Sequence, residues 1–187
     1  MLVSITGEAG SGKDTFCNML IEEMQDLCPK AVIRRIAFAT RLKEGLSKIT
    51  GIPLQEFYNN KDKYIDEYGM TIRQLMQKFG DITRSTFGDD LYVRAAIMQL
   101  NDWNHDIVIF TDTRDKIEMG WLVENGAITF RIKNNRVSKM SHKSETDMDN
   151  MEYMYTIQND TSLDDLRSEA KKYAKIIADT WKERHSC

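Results

Sequence analysis

Residues 7–15 read GEAGSGKDT. Gly7, Gly12 and Lys13 fall where the phosphate-binding pattern G-x-x-x-x-G-K-[ST] places them, with Gly10 and Ser11 between. The next residue departs from the pattern. It is Asp14, where a hydroxyl ordinarily meets Mg²⁺, and the hydroxyl arrives one position later as Thr15. The run LVSIT at 2–6 reads as a strand, and Phe16, Met19, Leu20 and Leu27 recur on one helical face, so the glycines sit in a strand, loop, helix setting. There, backbone N–H groups curl around phosphates, the helix N-terminus adds positive potential, and Lys13 reaches the β- and γ-phosphates. A chance glycine-rich turn is the alternative; lysine, context and position together weigh against it.

Four further β-rich runs follow: AVIRRIA 31–37, DIVIF 106–110, AITFRI 127–132 and MYTIQ 154–158. Helical patterns separate them, which predicts an α/β fold on a five-stranded parallel sheet. The last helix is the best marked: after the capping run NDTS, Leu163, Leu166, Ala170, Tyr173, Ala174, Ile177 and Trp181 recur at helical spacing as a core stripe. Residues 51–70 and 133–150 lack periodicity and are polar, and they read as mobile loops over a binding face.

The 187 residues, 41% of them hydrophobic, suit one domain with a real core. A net charge of −3 and a pI near 5.7 leave no basic field for a duplex, so nucleic acid is not expected as a partner. No apolar run is long enough to span a bilayer, and no charged-then-apolar leader precedes the first strand. Cys17, Cys28 and Cys187 are odd in number and lack metal spacing. A reduced, cytoplasmic protein is the expectation, with no membrane partner.

The helix expected from Thr71 to Phe87 carries two faces. At roughly 100° per residue, Ile72, Leu75, Met76, Phe79 and Ile82 form one arc, while Arg73, Gln77, Gly80 and Arg84 align in a second stripe about 60° wide. A mid-helix glycine costs about 1 kcal/mol relative to alanine unless close approach is needed. Gly80 between two arginines therefore suggests a ligand against the stripe; an ordinary solvated face with a weak spot is the other reading. IVIFTDTR places Asp112 and Arg114 just past the carboxyl end of a buried strand, where open α/β sheets bind ligands. Glu118 follows Arg114 by one turn, so their side chains can meet and fix the guanidinium. Asp112 can order Mg²⁺ waters and Arg114 can clamp a phosphate. A helix cap followed by a surface ion pair is the bland alternative.

The shifted loop hydroxyl resembles the G-K-x-T loops of nucleoside monophosphate kinases, and SGKDT at 11–15 is similar to the loops of bacteriophage deoxynucleoside monophosphate kinases. RQLMQKFG at 73–80, TDTRDKIEM at 111–119, SHKSET at 141–146 and IQNDTSLDDL at 157–166 extend that resemblance over most of the chain. Phosphomevalonate kinases share the S-G-K-D loop and the D-T-R turn. The resemblance implies a P-loop NTPase-type three-layer fold, one kinase domain over 1–187 with a helical acceptor region near 38–104 and a lid near 131–150. It implies ATP as phosphoryl donor on Gly10, Ser11, Gly12, Lys13, Asp14 and Thr15, with Asn159 near adenine, and Mg²⁺ held by Asp14, Thr15 and Asp112 through water. The acceptor, a deoxynucleoside monophosphate, falls to Arg73, Gln77, Gly80, Arg84, Tyr92, Asp112, Arg114 and Glu118, and Lys13, Asp14 and Arg114 become the catalytic set.

Arg131 and Arg136, with Lys139, His142 and Lys143, are placed like the cations of a closing lid, and Glu145 matches the family pattern without a known role. A homodimer is compatible with the resemblance, and a phage-encoded protein would work in the host cytoplasm. An acceptor phosphate is already ionised at neutral pH, so positioning and charge neutralisation replace a general base. On this reading Asp14, at a helix start, orders metal waters or orients an arginine or the acceptor. Two rivals stay open: an alcohol acceptor with Asp14 or Asp112 as general base, and an ATP-dependent switch without an acceptor.

Overall fold

The computed structural model describes residues 1–137 and 148–185. Two compact units emerge, residues 1–37 with 100–187, and residues 38–99.

The first unit is built on strands β1 (Leu2–Thr6), β2 (Ile33–Ile36), β5 (Ile107–Phe110), β6 (Ile128–Lys133) and β7 (Tyr155–Gln158). They form one sheet in the order β2-β5-β1-β6-β7, parallel throughout. All four residues of β5 are buried, as a parallel strand covered on both faces requires. Alternation along the strands sends Val3, Ile5, Ile107 and Ile109 to one face. There they meet Phe16 and Leu20 of α1 (Lys13–Leu27) and Ala170, Ala174 and Ile177 of α7 (Leu163–His185). Residues of the other parity face away: Phe110 meets Trp121 of α6 (Lys116–Glu124) edge to face, with centroids 5.8 Å apart. Helices thus cover both faces of a five-stranded parallel sheet, the three layers expected. Leu163, counted in the core stripe, is exposed because it opens α7. No helix among the described residues is long and apolar enough to cross a membrane.

The second unit holds α2 (Thr40–Thr50), α3 (Leu54–Asn59), the antiparallel pair β3 (Tyr64–Ile65) and β4 (Met70–Thr71), α4 (Ile72–Phe87) and most of α5 (Leu91–Asn101). Residues 51–70 are therefore not the loop that their polarity suggested. Pro53 starts α3, the ring of Phe57 is fully buried, and Tyr64 pairs with Thr71. These elements are too short to display a hydrophobic period. Thr71 lies outside α4 as its cap: its hydroxyl accepts from the Gln74 N–H while the Gln74 side chain accepts from the Thr71 N–H. The apolar arc of α4 is incomplete, since Ile72 is buried but Ile82 is 62% exposed.

Candidate functional site

The loop between β1 and α1 is shaped by close quarters. Gly10 and Gly12 take φ of 83° and 92°, a left-handed backbone that side chains resist. A Cβ on Gly7 would lie 2.7 Å from the Ile132 carbonyl oxygen and press on the Ser11 hydroxyl, and one on Gly12 would collide with the Asn159 amide. The Thr6 and Ser11 hydroxyls are buried with no hydrogen-bond partner among the described residues. A glycine cradle with an unused buried hydroxyl, opening into a 15-residue helix, fits a phosphate chain.

At the first turn of α1, one carboxylate serves two cations. Lys13 Nζ lies 3.0 Å from Asp14 Oδ2, and Arg35 Nη2 contacts Asp14 Oδ1. Arg35 also donates to Asn18 Oδ1 at 3.1 Å and to Thr111 Oγ1 at 3.3 Å, so α1 and the end of β5 both fix the guanidinium. Partial desolvation works to raise the Asp14 pKa, but Lys13 and then Arg35 outweigh it and hold the carboxyl below its ordinary value. Thr15 follows as an exposed residue. Sequence reading missed Arg35, because in AVIRRIA it passes for an ordinary strand residue. The usable signal was an adjacent arginine pair in the middle of a short parallel strand, one side chain to each face.

Past β5, the T-D-T-R turn alternates buried and half-buried positions. Thr111 and Thr113 are buried, and Thr113 shares a 2.9 Å hydrogen bond with Ser4 of β1. Asp112 and Arg114 are half-buried between and beyond them. Glu118 was expected to fix the Arg114 guanidinium. Its buried carboxylate accepts from the backbone N–H groups of Arg114 at 3.0 Å and Asp115 at 3.2 Å. Asp115 in turn accepts from the Ile117 N–H at 2.8 Å and from the Glu118 N–H, the latter completing a capping box on α6. Glu118 thus holds the turn itself.

Arg131 does not lie in a lid. It pairs with Thr6 in the register of β6, is 1% exposed, and donates to Glu8 Oε1 at 2.6 Å and Asp149 Oδ1 at 3.1 Å. The half-buried Glu8 and the exposed Asp149 both pair with that buried guanidinium, so its charge is committed there. Arg136 follows β6 in a turn and donates to the Asp160 carbonyl at 2.6 Å. Asn159, expected near adenine, donates its side-chain amide to the Ser11 carbonyl at 2.8 Å, while its N–H bonds Lys133. It therefore braces the glycine loop. Lys139, His142, Lys143 and Glu145 lie outside the described residues.

In the second unit, Arg73 forms a two-pronged pair with Asp62 at 2.9 and 3.2 Å. Gln77 is half-buried, and the Arg84 guanidinium stands 4.9 Å from the ring centroid of buried Tyr92, whose hydroxyl bonds Thr83 at 2.7 Å. Burial pushes the Tyr92 phenol upward in pKa against the opposing pull of Thr83 and Arg84. Gly80 does mark a close approach, but a protein side chain makes it. A Cβ there would stand 3.2 Å from Leu42 Cδ1 and 3.4 Å from Arg84 Nη1.

Among the described residues no three or more His, Cys, Asp and Glu side chains are arranged to hold a metal ion. Asp14, Thr15 and Asp112 are oxygen donors of the kind that suits Mg²⁺ sharing its ligands with phosphates and water.

The chain is 32% identical over 82 residues to a deoxynucleoside-5'-monophosphate kinase of Escherichia phage T5, a match that covers 44% of this chain and 33% of that protein, so it spans about a third of the relative's length. A crystal structure of TT1252 from Thermus thermophilus aligns over 94% of this chain and 97% of its own, at 15% identity and a TM-score of 0.40. A family model described as phosphomevalonate kinase matches residues 5–127, which take in the glycine loop, the Asp14 to Arg35 contact, α4 and the T-D-T-R turn. With well over half of its 187 residues so matched, the chain belongs to the phosphomevalonate kinase family, and its glycine loop and parallel sheet are those of a P-loop kinase.

Proposed function

We propose that this kinase transfers the γ-phosphoryl group of ATP to the phosphate of a deoxynucleoside monophosphate, giving the diphosphate and ADP. The observation that carries this reading is the 32% identity to a protein named for that acceptor, joined to a P-loop that keeps its lysine. ATP phosphates lie on residues 10–15, with Asn159 serving them by bracing the loop. Lys13 neutralises charge as it passes to the leaving diphosphate. Asp14, Thr15 and Asp112 would hold Mg²⁺, which when bound would supply charge neutralisation. Arg73, Gln77, Arg84 and Tyr92 recognise the acceptor in the second unit, and Arg114 clamps phosphate at the end of β5. The acceptor oxygen is ionised at neutral pH, so no proton has to be removed for attack.

A second reading has its own observation: the matching family model is described as phosphomevalonate kinase, which makes phosphomevalonate the acceptor. Coupled ADP release separates the two, run with Mg²⁺ and ATP over the four deoxynucleoside monophosphates, AMP, a nucleoside and phosphomevalonate. Turnover of at least one deoxynucleoside monophosphate is expected. Turnover of phosphomevalonate alone establishes the second reading, and activity only on a nucleoside alcohol overturns both.

A further inference from the structure

The geometry points to Arg35 as the second cation of the P-loop phosphate site, with the Asp14 carboxylate as a built-in competitor that a bound phosphoryl group displaces. Lys13 Nζ and Arg35 Nη2 contact the two oxygens of one carboxylate, Oδ2 and Oδ1. Those oxygens are joined through a single carbon, a spacing close to that between two oxygens of a phosphoryl group, so an anion of the same shape meets the same pair of cations. A guanidinium is suited to this, being always charged and offering several donors in one plane. Asn18 and Thr111 take two of those donors and set the plane, which leaves the orientation of Arg35 intact when Asp14 lets go. Asp14 itself is free to move, since its side chain is 59% exposed and stands at a helix N-terminus that tolerates negative charge. Buried Arg131 is tied to Glu8 and Asp149. Among the described residues, β2 supplies the cation that shares Asp14 with the loop lysine.

This arrangement also answers why an acid occupies the position usually held by serine or threonine. Two cations side by side repel, and a carboxylate between them holds both in place until the ligand's own charge takes over. The cost is a weaker ligand affinity, because each phosphoryl oxygen must replace a carboxylate contact already made.

The inference rests on the P-loop kinase reading, and anion binding tests it apart from turnover. The probe is pyrophosphate without Mg²⁺, titrated calorimetrically into the whole protein and into Arg35→Gln, Arg35→Lys, Asp14→Asn and Lys13→Ala, with thermal unfolding recorded for each. Arg35→Gln is expected to weaken pyrophosphate about tenfold, as loss of a charge-assisted contact does, with Arg35→Lys recovering part of it. Asp14→Asn is expected to bind pyrophosphate severalfold more tightly than the wild type. An unchanged affinity in Arg35→Gln beside a large loss in Lys13→Ala overturns the inference alone and makes Arg35 a structural strut. If Arg35→Gln does not fold, Asp14→Asn decides: equal or weaker binding overturns the competitor role. A wild type that does not bind pyrophosphate overturns the P-loop reading and the inference together, whereas binding with no turnover of any tested acceptor counts only against the proposed substrate.

Discussion

Arg131 reaches from the middle of the sheet to the phosphate loop, its Nη2 standing 2.6 Å from Oε1 of Glu8, the residue directly after the first loop glycine. Removing the cation leaves the half-buried Glu8 carboxylate, and Asp149 beside it on the same guanidinium, without the charge that pairs them. Arg131→Met should therefore lower stability by about 3–5 kcal/mol. Adding Glu8→Gln should recover part of that loss. Chemical denaturation of the single and double variants measures both.

Lys13→Ala should remove nearly all phosphoryl transfer and leave the unfolding midpoint close to wild type, because Lys13 pairs with the exposed Asp14 carboxylate of its own loop. A coupled assay alongside circular dichroism checks this. Loss of folding would make the lysine structural.

Asp14 is the sharper test of the loop. If the acid merely replaced the usual metal hydroxyl, Asp14→Ser would keep or improve turnover. The expected outcome is the reverse: Asp14→Ser and Asp14→Asn both lower kcat substantially while ATP still binds through the loop backbone. Thr15→Ala should damage nucleotide handling as well, since Thr15 carries the only hydroxyl left beside the lysine.

In the second unit two variants separate recognition from packing. Arg73→Ala should raise the acceptor KM or lower kcat/KM with little change for ATP, as expected of a residue on the acceptor side. Gly80→Leu should destabilise by about 1–3 kcal/mol, because Leu42 already stands where the new side chain would begin. Melting temperatures and substrate titrations of both variants decide this; a neutral or more stable Gly80→Leu would contradict the packing.

Burial raises the Cys17 thiol to about 11, the pull of Arg35 notwithstanding. The thiol of an unfolded chain ionises near 9.0, so the folded state binds the proton more firmly. Its contribution to stability is complete below pH 9 and is lost as pH rises toward 11, a loss on the order of 2–3 kcal/mol. Cys17→Ala should flatten that alkaline decline in denaturation curves taken across this range. Native protein at pH 8 should leave Cys17 unmodified by iodoacetamide, since the thiol is fully buried.

The parallel sheet was legible because its strands are short apolar runs set between helices, and β1 with its glycine loop was legible because the motif fixes both neighbours. The same local logic failed wherever a side chain's partner came from far along the chain. Arg131 looked like a lid cation because its charge was visible and its strand register was not; Glu8 lies 123 residues away. Asn159 is given to adenine by resemblance alone, and its bond to the Ser11 carbonyl, 148 residues distant, is invisible to local reading. Arg35 was overlooked for the same reason, since Asp14 and Thr111 meet it only after the sheet forms. Glu118 shows the opposite case: its capping box with Asp115 is local and could have been read from the D-x-x-E spacing.

The strand order has a consequence for the growing chain. β1 and β2 do not pair with each other; both take β5 as neighbour, and β1 takes β6 on its other side. No hydrogen-bonded strand pair of the main sheet can therefore close until the ribosome has made Ile107–Phe110, although the glycine loop was translated almost a hundred residues earlier. The unit formed by residues 38–99 is contiguous and can fold during that wait. Meanwhile Val3, Ile5 and Ile36, all buried in the finished protein, travel without partner strands. That interval is when nascent chains of this kinase are most open to chaperone capture or to association with one another.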